Sequence, residues 1–326
     1  MSEQDDGRER ESIMTLTDAA EQGDAQAQYQ LGELYYKGGG VPQDAALAAK
    51  WYLLAAEQGH SNAQCNLGAM YEYGHGVTQD YSQAVHWYRL ASGRGYAYAQ
   101  CCLAAMYECG RGIGQDYAQA EEWYRLAANQ GAAFAQCHLG GMCEEGRGVS
   151  KDQAQAAEWY RRAAEQGHAD AQCHLGAMYE NGRGVAQDCV QAFRWYLLAA
   201  EQDLSDAQCN LGRMYEYGRG VEQDRAQAAE CYRLAAEQGH ADARCNLGAM
   251  HENGEGVPQD YPQAVRWYRK AAKQGHARAQ CCLGTMYSNG LGVVQDKAQA
   301  AEWYRLAVEQ GDAEAREKLE ELDNGD

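Results

Sequence analysis

The sequence predicts an all-α solenoid made of eight helix-turn-helix repeats, each 36 residues long. Three observations lead to that prediction: one segment recurs at a fixed interval, the glycines fall at fixed places within it, and an aspartate opens each second half. Repetition at such an interval is typical of proteins in which each repeat buries its apolar face against its neighbours. The 326 residues provide enough chain for eight repeats and two end caps.

The recurring segment is Ala-Gln-Cys-x-Leu-Gly-x-Met-Tyr, with small variations, and it returns every 36 residues between Ala25 and Asp312 without an insertion. With Ala25 as position 1, 30 of the 37 glycines occupy positions 8, 14, 16 and 35. A Trp-Tyr pair keeps the same step in seven repeats, and Cys231-Tyr232 replaces it in the sixth. We expect the interface around the sixth repeat to be under-filled or repacked, because a large buried side chain is lost there.

The first helix of each repeat is predicted at about positions 2 to 13, where small, apolar and aromatic residues recur at helical spacing. It ends at the glycine of position 14, which adopts the left-handed conformation of a helix C-cap at little cost. An aspartate then caps the second helix, and in seven repeats a glutamine three residues later predicts a reciprocal capping box. Capping explains all eight aspartates without a catalytic or metal-binding role. They are Asp44, Asp80, Asp116, Asp152, Asp188, Asp224, Asp260 and Asp296.

Residues 25–312 resemble the Sel-1-like repeat, a relative of the tetratricopeptide repeat. The resemblance rests on the 36-residue interval, Leu-Gly-x-x-Tyr, the Gly-x-Gly-Val turn and Ala-x-x-Trp-Tyr-x-x-Ala-Ala-x-x-Gly. It implies a right-handed superhelix of helix pairs that serves as a scaffold or adaptor for protein complexes. Outside the repeats, we expect residues 1–12 to be disordered, residues 13–24 to form a capping half-repeat, and residues 313–326 to form a C-terminal capping helix and tail.

Composition narrows the classes of partner. The net charge of −19 makes nucleic acid and anionic membrane surfaces poor partners, because both would be repelled. Apolar runs stay well below the roughly 20 residues that a bilayer span needs. The acidic start leads into no apolar stretch of the kind a secretory signal has. We therefore expect a cytoplasmic protein that binds neither nucleic acid nor membrane.

The thirteen cysteines are predicted to be reduced thiols. Seven occupy position 5, one in every repeat except the first. Successive helix pairs stack at roughly 10 Å, beyond the roughly 7 Å between α-carbons that a disulfide allows. The Sel-1-like family has a cysteine-rich secreted branch, in which this cysteine pairs with one near the end of the preceding second helix. In this chain alanine, or once Ser92, stands at the partner position, so the pairing partner is missing.

Histidines recur just before the first helix, as His60, His168, His240 and His276, and are predicted to be solvated linker residues. A zinc site needs four converging ligands, and the neighbouring position-5 cysteine is expected to face the helix packing instead. We therefore predict no metal site and no cofactor.

An enzymatic function is not predicted. The cysteine-rich relatives implied by the resemblance include weak β-lactam-binding hydrolases, and that chemistry uses Ser-x-x-Lys, which no serine of this chain matches. Walker A, Gly-x-Ser-x-Gly and His-Glu-x-x-His are likewise missing from the sequence. A hydrolase of that kind, and a secreted effector or adaptor exported without a cleaved signal, remain the alternatives to a non-enzymatic scaffold.

Positions 2, 6, 9 and 13 of the first helix form the predicted binding surface. On a helical wheel they lie opposite the packing face, and their occupants vary more than the rest of the repeat. Asparagine and histidine there would hydrogen-bond a peptide backbone, while aromatic residues would anchor its side chains. The expected ligand is a basic or neutral peptide or protein segment. The candidate residues are Asn62, Asn66, Tyr73, Tyr98, Phe134, His138, His174, Asn181, Asn210, Tyr217, Asn246 and Asn253.

Overall fold

The computed structural model describes residues 3–324, and side chains within residues 11–322. All regular secondary structure in that range is helical, with eighteen helices and no strand. The described residues up to Ala163 form one compact unit, hereafter the N-unit, and those from Ala164 onward form a second, the C-unit. Consecutive helices pack against each other within each unit, which confirms the predicted all-α solenoid of helix pairs. The helices are α1 (Glu3–Glu21), α2 (Ala25–Lys37), α3 (Ala45–Glu57), α4 (Ser61–Tyr73), α5 (Tyr81–Gly93), α6 (Ala97–Cys109), α7 (Tyr117–Asn129), α8 (Ala133–Glu145), α9 (Gln153–Glu165), α10 (Ala169–Asn181), α11 (Cys189–Ala200), α12 (Ser205–Tyr217), α13 (Arg225–Glu237), α14 (Ala241–Asn253), α15 (Tyr261–Ala272), α16 (Ala277–Asn289), α17 (Lys297–Glu309) and α18 (Ala313–Asn324).

The fifth repeat illustrates how each helix pair begins and ends. Helix α10 ends at Gly182, whose φ of 67° is left-handed and whose N–H donates to the carbonyl of Met178. Helix α11 begins after Asp188, whose Oδ1 accepts from the N–H groups of Val190 at 2.9 Å and Gln191 at 3.0 Å. A side-chain oxygen of the predicted aspartate caps the second helix in all eight repeats.

The reciprocal half of the predicted capping box is wrong. The N–H of Asp188 donates to the carbonyl of Tyr179 at 2.9 Å, so it is not available to the side chain of Gln191. Each of the other seven cap aspartates donates in the same way to the residue nine positions earlier. This bond ties the start of the second helix back to the end of the first and closes the turn.

Glycine at position 8 sets the distance between the two helices of a repeat. A β-carbon on Gly176 would lie 2.8 Å from Cδ1 of Tyr196, closer than nonbonded carbon atoms approach. The tyrosine ring therefore rests directly on the glycine backbone, and Tyr196 is 1% exposed. In the third repeat Ala104 stands at this position and is fully buried.

Glutamine at position 4 joins neighbouring repeats. Gln172 is buried, and its Nε2 donates to the carbonyl of Ala164 at 3.1 Å, which is among the last carbonyls of the preceding second helix. Its Oε1 accepts from Nε2 of Gln202 at 2.8 Å. Because the last carbonyls of a helix have no partner within it, this side chain satisfies a group that packing would otherwise bury without a hydrogen bond. The sequence pattern by itself does not predict this contact.

The interface at the sixth repeat is repacked. Cys231 is buried in a cluster with Tyr196, Leu211 and Met214, and the side chain of Phe193 packs against the same cluster. Phe193 occupies position 25, where the other repeats carry Ala49, Val85, Glu121, Ala157, Ala229, Val265 and Ala301.

The ends of the described chain differ partly from expectation. Helix α1 begins at Glu3, within the stretch expected to be disordered. In the expected capping half-repeat, residues 13–24, Leu16, Ala19 and Ala20 pack with Ala27 and Leu31 of α2. Residues 1 and 2 lie outside the described residues. Helix α18 follows the last repeat, where a terminal helix was predicted.

Candidate binding groove

In the C-unit, the first helices of four consecutive repeats line one cavity. Its volume is about 590 Å³, and α10, α12, α14 and α16 all contribute side chains. The lining carries carboxylates, guanidinium groups, amides, imidazoles and one tyrosine, and we call it the C-groove. Its residues are Cys173, His174, Ala177, Asp206, Cys209, Asn210, Arg213, Tyr217, His240, Asp242, Asn246, His276 and Arg278.

Histidines and aspartates form paired contacts along the C-groove. Nε2 of His240 lies 3.2 Å from Oδ1 of Asp206, and Nε2 of His276 lies 2.8 Å from Oδ1 of Asp242. Nδ1 of His276 accepts the N–H of Ala279 at 3.1 Å and so caps α16. The prediction of solvated linker histidines is therefore wrong. All four rings cap a first helix, and those of His240 and His276 also contact an aspartate of the previous repeat.

The two aspartates nevertheless stay open to solvent. Their side chains are 70% exposed at Asp206 and 67% exposed at Asp242. They stand one repeat apart at position 2. The C-groove thus presents two carboxylates whose orientation is fixed by a neighbouring imidazole while their outer faces are available to a ligand.

A buried carboxylate lies beneath this surface. Glu180 is 7% exposed, and its Oε2 accepts the hydroxyl of Tyr196 at 2.9 Å. Arg213 lies 3.3 Å and Arg219 3.4 Å from the same carboxylate. Burial, followed by the charge of Glu180, raises the pKa of Tyr196 and keeps its hydroxyl protonated as a donor.

The Tyr–Glu hydrogen bond recurs in six repeats. A tyrosine of the second helix donates to a glutamate at position 12 of the first helix, 16 residues earlier, over 2.6–3.1 Å. Position 12 lies outside the predicted surface and was not among the predicted site residues. The spacing was the available signal, because Glu and Tyr repeat in register. The pairs are Glu72–Tyr88, Glu108–Tyr124, Glu144–Tyr160, Glu180–Tyr196, Glu216–Tyr232 and Glu252–Tyr268.

The N-unit has a smaller cavity, about 340 Å³ in volume, that we call the N-groove. At Glu33, Oε1 accepts from the Tyr52 hydroxyl at 2.9 Å and from Nδ2 of Asn66 at 3.0 Å, and Lys37 pairs with the other oxygen. Although burial opposes it, these three donors together lower the pKa of Glu33. The lining residues are Glu33, Tyr36, Lys37, Tyr52, Asn66, Ala69, Met70, Tyr73, His75 and Tyr98.

Seven of the twelve predicted residues line these two cavities, three in the N-groove and four in the C-groove. Asn66 and Asn210 are half-buried and also bridge repeats: Nδ2 of Asn210 lies 3.8 Å from Sγ of Cys173. The residues in the N-groove are Asn66, Tyr73 and Tyr98, and those in the C-groove are His174, Asn210, Tyr217 and Asn246.

The other five predicted residues line neither cavity. His138 stacks on the ring of Tyr124 at 4.8 Å and pairs with Glu108 at 3.3 Å, while Phe134 packs against His138 at 4.4 Å. A hydrogen bond from His138 is the largest cause that lowers the pKa of Glu108. These five are Asn62, Phe134, His138, Asn181 and Asn253.

Three observations on the described residues bear on metal binding, disulfide bonding and membrane spanning. The described part of the chain contains no cluster of three or more His, Cys, Asp or Glu side chains arranged to hold a metal ion. All thirteen cysteines are present as thiols. Among the described helices, none combines the length and the apolar character that crossing a bilayer requires.

Stacked helix pairs whose first helices line polar cavities define a helical repeat protein of the tetratricopeptide-like class. The Sel1 repeat model matches eight segments, residues 25–60, 61–96, 97–131, 133–168, 169–204, 205–240, 241–276 and 277–312. The chain belongs to the Sel1-repeat family, whose members generally mediate protein–protein interactions on a scaffold that is generally non-catalytic.

Two solved structures are similar over nearly the whole chain. One is c5321, a protective antigen present in uropathogenic Escherichia coli strains, with 40% identity and a TM-score of 0.86 over 94% of this chain. This chain spans 66% of that protein. The other is a Sel1 repeat protein from Oxalobacter formigenes, with 35% identity and a TM-score of 0.70 over 95% of this chain and 90% of that one. No curated protein matches the chain.

Proposed function

We propose that this protein is a non-enzymatic scaffold that binds an extended peptide segment, basic or neutral in charge, in the C-groove. The observation that carries the proposal is the cavity of about 590 Å³ lined by four consecutive first helices. A cavity of that size, with a few convergent polar groups, is typical of a binding site. Its length over several repeats favours an extended chain over a compact small molecule.

Charge favours a basic segment. Asp206 and Asp242 keep exposed carboxylates in the C-groove, and the whole chain carries a net charge of −19. The lining also carries two guanidinium groups, that of Arg213, which is already paired with the buried Glu180, and that of Arg278. A basic ligand would therefore be steered toward the protein by its field and fixed by the two aspartates.

The spacing of the aspartates suggests the spacing of the cations. Successive helix pairs stand roughly 10 Å apart, and a polyproline II helix rises about 3.1 Å per residue with three residues per turn. Two basic side chains at i and i+3 of such a peptide lie on one face and about 9 Å apart. The amides of Asn210 and Asn246 would then be in place to hydrogen-bond the backbone between them.

The test uses fluorescein-labelled Pro-Arg-Pro-Pro-Arg-Pro and fluorescence anisotropy. We expect saturable binding that weakens at least fivefold in the D206N/D242N variant and in the N210A/N246A variant. Higher salt should slow association more than it changes dissociation. A peptide with both arginines replaced by glutamate is the matched ligand control.

The matched protein control is Arg233→Ala on the second helix α13. Arg233 pairs with Glu230 and Glu237 on the same helix, and it lines a separate cavity of about 330 Å³. Binding should be unchanged in this variant. Loss of binding in R233A together with normal binding in the groove variants would place the ligand on the second-helix side and contradict the proposal.

A further inference from the structure

Two pairs of cysteines bring thiols from adjacent repeats together in one register. Cys65 lies in a buried cluster against which Cys102 packs, and Cys245 lies in another against which Cys282 packs. In each pair the first cysteine is at position 5 and the second is at position 6 of the next repeat. Each pair thus places one thiol from each of two adjacent repeats in a single packed cluster.

The same register brings unlike side chains together elsewhere. In the C-unit, position 5 holds Cys173 and position 6 of the next repeat holds Asn210, with 3.8 Å between Sγ and Nδ2. Side chains of adjacent repeats therefore touch here, although the spacing of stacked helix pairs is about 10 Å. For two of the seven position-5 cysteines, Cys65 and Cys245, position 6 of the next repeat is also a cysteine. For four others that position is histidine or asparagine, and Cys281 is followed by the C-terminal helix.

We propose that Cys65–Cys102 and Cys245–Cys282 are inter-repeat dithiols that a peroxide oxidises to disulfides. In each pair one thiolate attacks a peroxide oxygen to give a sulfenic acid, and the peroxide's other oxygen leaves as water once protonated. The partner thiol then attacks that sulfur, the S–S bond forms, and the sulfenic oxygen leaves as a second water. Each disulfide thus consumes one hydrogen peroxide, which takes the two electrons.

The geometry favours these two pairs over the other thiols. Bond formation requires the sulfurs of two packed side chains to approach to about 2.05 Å. Cys102 and Cys282 are only half-buried, so a small oxidant reaches one member of each pair. Cys101, Cys209 and Cys281 are buried at position 5, without a second thiol at position 6 of the following repeat.

The two pairs should differ in rate. A hydrogen bond from Cys245 lowers the pKa of the Cys282 thiol, which favours its thiolate. Since the thiolate is the reactive form, we expect the Cys245–Cys282 bridge to form first. Each bridge would lie beside a groove, because Arg278 lines the C-groove and Tyr98 lines the N-groove, next to Cys282 and Cys102 respectively.

The experiment treats the full-length reduced protein with a small excess of hydrogen peroxide, blocks remaining thiols and maps tryptic peptides by mass spectrometry. Two cross-linked pairs are expected, residues 51–89 with 95–111 and residues 245–266 with 279–297. Dithiothreitol should release both. Cross-links spread over the other cysteines, a bridge between neighbouring Cys101 and Cys102, or sulfinic acids without cross-links would each overturn the proposal.

Matched variants are available within the chain itself. Cys102→Asn and Cys282→Asn reproduce the natural Cys173–Asn210 pairing, so both should fold. Each should abolish its own cross-link and leave the other intact, whereas Cys101→Ser should leave both. Persistence of a cross-link to residues 51–89 in C102N, or to residues 245–266 in C282N, would show that the wrong partner was identified.

Discussion

Phe193 on α11 and Cys231 on α13 share one buried cluster, and the ring of Phe193 stands edge-on to Tyr215 with 5.3 Å between centroids. Aromatic bulk is missing at position 27 of the sixth repeat and is added at position 25 of the fifth. Edge-to-face packing of this kind is favourable beyond the area it buries. The two departures from the repeat pattern thus compensate each other.

Substitutions at Phe193 and Cys231 should show that the two residues compensate each other. We expect Phe193→Ala to destabilise the protein by about 2 kcal/mol, because it leaves a cavity beside Cys231. Cys231→Trp alone should cost about 1–3 kcal/mol by overpacking. The double variant should be more stable than the sum predicts, by at least about 0.5 kcal/mol. Urea unfolding measures all three, and strict additivity would mean that the two sites do not share their space.

The buried carboxylate at Glu180 should make Tyr196 costly to change. We expect Tyr196→Phe to lower the unfolding free energy by about 2 kcal/mol, because a hydrogen bond to a buried charged group is lost. Tyr304 donates instead to the neutral hydroxyl of Thr285 at 3.2 Å, so Tyr304→Phe should cost about 1 kcal/mol. Equal losses in both variants would show that the charge of Glu180 adds nothing to this bond.

Asp203 occupies a backbone conformation that suits glycine. Its φ is 62°, and it stands at position 35, where the other seven repeats have glycine. We expect Asp203→Gly to stabilise the C-unit by about 0.5–1 kcal/mol and Asp203→Ala to destabilise it, since alanine tolerates a left-handed φ less well than aspartate. Thermal unfolding of the three proteins ranks them, and a stabilised alanine variant would contradict the backbone argument.

His60 should make stability depend on pH. Its Nδ1 accepts the N–H of Ala63 at 3.2 Å, and burial lowers the pKa of its imidazole. The unfolded chain then binds the proton more tightly, so this contribution is complete above the unfolded pKa of about 6.5 and is lost as the pH falls through the folded pKa.

A variant whose helix cap stays unprotonated over this pH range tests the role of His60. His60→Asp keeps an acceptor at the cap, so it should reduce the loss of stability between pH 7.5 and 5.5. Urea unfolding of wild type and variant at both pH values tests this, with His86→Asn on the exposed face of α5 as the control. An unchanged pH dependence in H60D would exclude the cap as its source.

Sequence alone predicted the features that depend on a few neighbouring residues. Gly182 ends α10 and Asp188 caps α11 because each rule acts within one turn of helix. The role of His60 was missed because histidine is outside the residues that usually cap helices. The Glu180–Tyr196 bond was missed because it joins two helices, and only the packed pair shows that position 12 points toward the tyrosine.

The sequence predicted which helix face lines the grooves, but not which side chains of that face also contact the neighbouring repeat. Helical spacing placed Asn210 and Tyr217 on one face of α12, and both line the C-groove. It did not reveal that Asn210 also touches Cys173 of the previous repeat, because the separation of stacked helices says little about how far their side chains reach. The reach of each side chain decides whether it bridges two repeats or faces a ligand.

The glutamine at position 4 bears on how such a protein changes in length over evolution. Gln172 holds the carbonyl of Ala164 behind it and accepts from Gln202 ahead of it, and most repeats carry both halves of this joint. Arg244 replaces the first glutamine in the seventh repeat, and Arg94 replaces the second in the second repeat. Deleting or duplicating 36 codons rejoins matching halves of this contact, so no new contact between repeats has to arise. Unequal recombination between near-identical repeats therefore supplies viable variants whose grooves are longer or shorter by whole steps. Selection can then act on the length of ligand that is bound before it acts on any single side chain.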